Sequence, residues 1–251
     1  MSDLALAARG MEMRFGSFVA NDDVTFEVPV GQRRVLIGPN GAGKTTLFNV
    51  LAGQLRPSKG TVELLGRNVT RQPAYKRARQ GLARTFQLNN LFNELTVREN
   101  VEITIASQSS TRNAFWRSLG SVPGIRSQSD ALLAEWEFSD IADLPVTELA
   151  YGQQRVMEIV LAMSTKPRVL LLDEPTAGLA PADATRLTRL VAELPRDITI
   201  VMIEHDMEVA FALADRVTVL HGGRVLAEGV PDEVAADPQV LQVYLGGMSD
   251  A

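Results

Sequence analysis

The chain has 251 residues, 45% of them hydrophobic and 22% charged, which suits one large domain or two small ones with a sizeable core. A net charge of −5 argues against a nucleic-acid partner, whose footprint is a basic face. The absence of cysteine excludes disulfides and thiolate metal sites. The N-terminus places Asp3 early, without an apolar core and cleavage site, and no run reaches the about 18 apolar residues of a membrane-spanning helix. The expectation is a soluble, cytoplasmic protein.

In chain order, residues 4–8, 24–30 and 33–37 read as short strands, the last (RRVLI) ending at a glycine-rich turn. TTLFNVLAG has helical spacing with Gly53 as its C-cap, and TVELLG (61–66) alternates as a strand after a hairpin-type turn at Gly60. The stretch from about 88 to 165 reads as mostly helical. Its polar part, SQSSTRNAFWRSLGSVPGIRSQSD, reads as a loop or a loosely held helical connection. LAYGQQR (149–155) is unusual, because it sets Gly152 at the start of the amphipathic run VMEIVLAM.

The α/β rhythm then resumes. RVLLLD (168–173) is a continuous apolar run, the mark of a strand buried on both faces of a parallel sheet. PADATRLTRLVAEL is an amphipathic helix with Pro181 in its first turn, ITIVMIE another buried strand and MEVAFALA a helix. RVTVLHGGRVLAEG is a hairpin turning at Gly222–Gly223. Strands alternating with helices imply an α/β fold with a parallel core and a helical insertion in its middle.

Three motifs carry chemistry. GPNGAGKTT, comprising Gly38, Pro39, Asn40, Gly41, Ala42, Gly43, Lys44, Thr45 and Thr46, follows a strand and opens a helix. This is the G-x-x-x-x-G-K-[ST] loop in its required context. Its backbone N–H groups and helix N-terminus hold phosphates, Lys44 reaches the β- and γ-phosphates, and the Thr45 hydroxyl binds Mg²⁺. The sequence therefore reads as that of a nucleoside-triphosphate-binding protein. VLLLDEP ends its strand in Asp173, placed to hold the Mg²⁺ shell, and Glu174, placed to face a water attacking the γ-phosphate. His205, after the next buried strand, emerges at the same carboxyl edge and can hydrogen-bond the γ-phosphate.

Taken in order, the phosphate loop, LAYGQQR, VLLLDEP and IEHD resemble the ATP-binding subunit of an ABC transporter over nearly the whole chain. The resemblance implies a P-loop NTPase (RecA-like) core with a small antiparallel β subdomain and an inserted α-helical subdomain. The core and β subdomain would take residues 1–87 and 166–251, and the helical subdomain residues 88–165. Gln87, in ARTFQ, matches the family's Q-loop glutamine, with a catalytic and metal-binding role, and Phe15 matches the aromatic that stacks on adenine. LAYGQ matches the signature usually written LSGGQ, so Tyr151, Gly152 and Gln153 would face the ATP of a second ATP-binding subunit, identical or related. Ala150 and Tyr151 depart from the signature serine and glycine, and Ala180 stands where many members carry the D-loop aspartate.

The resemblance further implies ATP and Mg²⁺ as ligands, transmembrane permease subunits as partners, and a substrate-binding protein acting indirectly. It places the chain on the cytoplasmic face of the inner membrane. LAYGQQR, ARTFQ, LTVRENV, IEHDMEVAFALADRVTVL and the closing VLQVYLG are similar to the subgroup serving branched-chain (hydrophobic) amino-acid importers. Uptake of urea or related amides, or a non-transport ABC ATPase acting on soluble partners, stay open as alternatives.

Overall fold

The computed structural model describes residues 4–85, 91–108 and 124–246. Strands β1 (Leu4–Phe15), β2 (Phe18–Pro29), β4 (Lys59–Leu64) and β5 (Arg67–Asn68) form an antiparallel sheet in the order β2-β1-β4-β5. Strands β3 (Arg33–Ile37), β6 (Leu82–Arg84), β7 (Val169–Asp173), β8 (Thr199–Ile203), β9 (Arg216–His221) and β10 (Arg224–Gly229) form a second sheet. Its order is β10-β9-β3-β8-β7-β6, parallel throughout except for the β9–β10 hairpin.

The continuous apolar runs become buried strands because both faces of the parallel sheet are covered. Val35, Ile37, Leu170, Leu172, Ile200 and Met202 point into one core. Leu36, Leu171, Val201 and Ile203 point into the other. Helix α1 (Lys44–Ala52) seals the second core with Leu47, Phe48, Val50 and Leu51, together with Leu6, Phe26 and Val62 of the antiparallel sheet. Helices α5 (Tyr151–Ser164) and α6 (Pro181–Glu193) seal the first with Met157, Val160, Leu187 and Val191. Each fully buried side chain of this size contributes about 1.5–3 kcal/mol.

The remaining helices are α2 (Ala74–Ala78), α3 (Val97–Gln108), α4 (Ile125–Glu135), α7 (Met207–Leu213), α8 (Pro231–Ala236) and α9 (Pro238–Gly246). Among them, α3 and α4 pack on α5 as the inserted helical part of the fold.

Several boundaries differ from the sequence reading. The first two strands run for 12 residues each, far past the apolar stretches, because β1 is paired on both sides. Gly60 lies inside β4, not in a turn before it; a β-carbon there would fall 2.4 Å from the Gly10 carbonyl oxygen, so the close strand approach requires glycine. Residues 125–130 of the polar stretch begin α4, with Ile125 and Leu133 buried, whereas residues 109–123 lie outside the described residues. The hairpin at Gly222–Gly223 and the Gly53 C-cap are as expected.

Candidate nucleotide site

In an open parallel sheet, ligands collect beyond the carboxyl ends of the strands. Here β3, β7 and β8 end side by side, with Asp173 in register with Ile203. The loop after β3 is shaped by its glycines. Gly43, the residue before α1, has φ +96°, and a β-carbon there would lie 2.5 Å from the Ala20 carbonyl oxygen and 2.6 Å from Asn21 Nδ2. The Asn21 side-chain amide donates to the Gly43 carbonyl at 3.2 Å. A β-carbon on Gly38 would lie only 2.1 Å from the Leu220 carbonyl oxygen. No side chain caps α1, so its first N–H groups remain available.

Lys44 is buried, and its ammonium donates to the carbonyls of Gly38 at 2.7 Å and Pro39 at 3.0 Å. Burial lowers its pKa, against the opposing pull of Glu174 and Asp173. A lysine held on the loop's own carbonyls is poised to exchange them for phosphate oxygens. Ala42 is buried, Thr46 half-buried, and Asn40, Gly41 and Thr45 are exposed at the mouth.

Asp173 is buried at the end of β7. Its Oδ2 accepts from Arg84 at 2.7 Å, while Oδ1 is buried and has no hydrogen-bond partner among the described residues. A hard cation suits such a carboxylate oxygen. Among the described residues, no cluster of three or more His, Asp or Glu forms a self-sufficient metal cage.

Glu174 adopts φ +48°, a left-handed conformation costing a side chain about 1–3 kcal/mol. Its N–H donates to the Ile203 carbonyl at 3.0 Å, and its Oε1 lies 2.5 Å from His205 Nε2. The strain thus turns this carboxylate onto the histidine of the neighbouring strand end. Beneath them Glu204 is buried, which raises its pKa, and it accepts from the Thr176 hydroxyl at 2.7 Å and the His205 N–H at 3.1 Å. Asp206 caps α7 through Glu208 N–H and Val209 N–H.

The signature residues lie elsewhere. Helix α5 starts at Tyr151 after Ala150, whose N–H donates to Gln153 Oε1 at 2.9 Å. Tyr151 is half exposed; its hydroxyl donates to the Ala177 carbonyl at 3.4 Å and accepts from Arg155 at 2.9 and 3.1 Å. The tyrosine that replaces glycine therefore ties the start of α5 to the loop following Glu174. A β-carbon on Gly152 would meet Asp183 of the same chain at 2.7 Å. The constraint on this glycine thus begins within the chain.

Phe15 ends β1 opposite Phe18; both are exposed, at 48% and 62%, so neither belongs to the core. Gln87 lies outside the described residues. The sequence reading missed Arg84, Asn21, Glu204 and Asp183. It also missed Tyr244, whose pKa burial raises, against the smaller opposing effect of a hydrogen bond from the Gly38 backbone. A basic residue closing a strand was the only sequence signal for Arg84, and Tyr244 stood in the noted VLQVYLG run without an assigned contact.

A glycine-built phosphate loop, an acidic strand end beside it and a parallel sheet in this order define a P-loop nucleotide triphosphatase. The family model for ABC transporters matches residues 21–177, and that for the branched-chain amino acid ATP-binding cassette transporter matches residues 224–249. The chain is 41% identical to the high-affinity branched-chain amino acid transport ATP-binding protein LivG of Salmonella typhimurium, over 98% of this chain and 99% of that protein. It is 39% identical, with the same coverage, to the corresponding BraF protein of Pseudomonas aeruginosa. An ATP-binding cassette of an ABC transporter in its ADP conformation superposes with a TM-score of 0.84, at 32% identity over 97% of this chain and 99% of that one. The chain belongs to the ATP-binding subunits of ABC transporters. It is an ATPase, and ATP is its ligand.

Proposed function

We propose that this chain powers uptake of branched-chain or other hydrophobic amino acids, as one of two ATP-binding subunits bound to transmembrane permeases. The observation that carries the reading is full-length similarity to amino-acid transport subunits, extending to the C-terminal segment that matches the branched-chain family model.

Within one subunit, the loop from Gly38 to Gly43, with Lys44, Thr45 and Thr46, holds the phosphates, and Phe15 covers the adenine. Thr45, Asp173 and Gln87 would hold Mg²⁺, which when bound would neutralise charge developing on the phosphates. Glu174 polarises the attacking water, and His205, 2.5 Å from it, orients the γ-phosphate and the carboxylate together. Tyr151, Gly152 and Gln153 of the partner subunit complete the pocket with helix N–H groups, which stabilise phosphate charge even without a signature serine. Closing the two subunits removes water and assembles the site; hydrolysis lets it reopen.

Residues 88–165 act as a helical subdomain that bears on the permease. A cavity of about 520 Å³, lined by Tyr75, Leu82, Leu91, Thr104 and Leu161, supports docking between this part and the core. No helix among the described residues is long and apolar enough to cross a membrane, so the permease would supply the path and hold the chain at the cytoplasmic face of the inner membrane. A substrate-binding protein would deliver the cargo. Deleting the chain and measuring uptake of labelled leucine, isoleucine, valine and urea tests the reading. Amino-acid uptake should be lost, restored by the wild-type chain and not by Lys44→Ala; lost urea uptake with unchanged amino-acid uptake would overturn it.

A further inference from the structure

Arg84 is a buried charge to which none of the roles above gives a task. It closes β6 opposite Leu171 of β7, with its side chain 8% exposed. One terminal nitrogen donates to Asp173 Oδ2 at 2.7 Å. The other donates to Asn49 Oδ1 at 2.7 Å and Gln54 Oε1 at 2.8 Å, at and just beyond the C-terminal part of α1. The guanidinium carbon lies 5.8 Å from the centre of the Phe48 ring. The Asp173 side chain is 1% exposed, and its Oδ1 has no hydrogen-bond partner among the described residues.

A carboxylate this deeply buried cannot stay charged and unpaired without severe cost to the fold. Lys44 also feels the charge of Asp173, but its ammonium donates to the carbonyls of Gly38 and Pro39. Among the described residues, Arg84 is thus the cation hydrogen-bonded to Asp173 before any metal arrives. We propose that Arg84 is the resident counter-ion of Asp173, securing the metal-free fold and opposing the metal ion at the same carboxylate. The inference rests on Asp173 being a metal ligand. Two effects act in one direction: the guanidinium repels an incoming divalent cation, and it occupies one of the two oxygens the cation could use. The carboxylate stays correctly placed, while the metal is held less tightly than a lone buried aspartate would hold it. Metal release after each turnover is then easier.

The test titrates Mn²⁺, standing in for Mg²⁺, into the purified chain with ADP, followed by electron paramagnetic resonance. Arg84→Met removes charge and hydrogen bonds; Arg84→Gln removes the charge and retains a donor for Asp173, which protects folding. Either should lower the melting temperature of the metal-free chain. Each should bind Mn²⁺ more tightly, by about tenfold as expected when a like charge leaves a buried site. The melting shift induced by Mn²⁺ with ADP should exceed that of the wild type. Arg84→Lys, which keeps the charge, should stay near wild type. Unchanged or weaker Mn²⁺ binding in Arg84→Gln would overturn the proposal, the weaker result meaning that Arg84 serves to orient Asp173. Asp173→Asn separates the two readings. If it leaves Mn²⁺ binding intact, Asp173 is no metal ligand; if it weakens binding while Arg84→Gln changes nothing, the counter-ion role alone fails.

Discussion

The starts of α1 and α5 both lack a side-chain cap, and they are built in opposite ways. At the start of α1, Gly38 and Gly43 press against the backbone of other strands, and the following Lys44 is buried on the loop's own carbonyls. At the start of α5, the atoms nearest a β-carbon on Gly152 belong to the Asp183 side chain, and Tyr151 before it is half exposed. Backbone cannot yield, whereas a side chain can rotate. The first start is therefore complete and rigid within one chain. The second keeps its helix N-terminus at the surface, held by side-chain ties through Tyr151 and Gln153 that adjust at low cost.

The contrast breaks most visibly in catalysis. If the phosphate loop alone suffices for binding while closure brings the rest, Glu174→Gln should keep ATP affinity and lower turnover by about 10²–10⁴, the range for loss of a general base. It should also accumulate an ATP-bound dimer in light scattering. Near-normal turnover in the presence of the permease would remove Glu174 from its assigned role.

Rigidity of the first start is tested by Gly43→Ala. The left-handed φ and the 2.5 Å approach to the Ala20 carbonyl leave no room to relax. Urea denaturation should show a loss of about 3 kcal/mol or more, from backbone strain and overpacking together. A loss below about 1 kcal/mol would mean that the loop yields, erasing the contrast with α5.

The second start should respond more gently. Tyr151→Phe removes a hydroxyl bonded to Arg155 and to the Ala177 carbonyl at a half-exposed position. About 1 kcal/mol of stability should be lost, as for an ordinary hydrogen bond, with ATP binding to the single chain unchanged. Gly152→Ala should do least. A helical glycine-to-alanine change gains up to about 1 kcal/mol, offset by the push on Asp183, so the net should lie near zero. Adding Asp183→Ala should release the push and leave the double variant more stable than the wild type. A large loss in Gly152→Ala that Asp183→Ala does not relieve would make this start as rigid as the first.

Much of the site could be read along the chain because its signals are local. The phosphate loop spans nine consecutive residues, and Asp173, Glu174 and His205 each follow a run of apolar residues that can only be a buried strand. Phe15 could be picked out by position, yet only its 48% exposure separates it from a core phenylalanine. The two 12-residue strands were underestimated because strand pairing, rather than apolar pattern, extends them.

Local patterns along the chain suffice for the α/β rhythm, the phosphate loop and the order of the acidic and histidine strand ends, since each depends on neighbours within a few residues. What those residues touch depends on contacts far apart in the chain. Arg84 reaches Asp173 across 89 positions, Tyr151 reaches Ala177 across 26, and Asn21 reaches Gly43 across 22. Contacts of this kind are set by which strands pair and which helix lies over them. The charge beside Asp173 and the tie between Tyr151 and the loop after Glu174 leave no local pattern, because they arise only when the sheet is assembled.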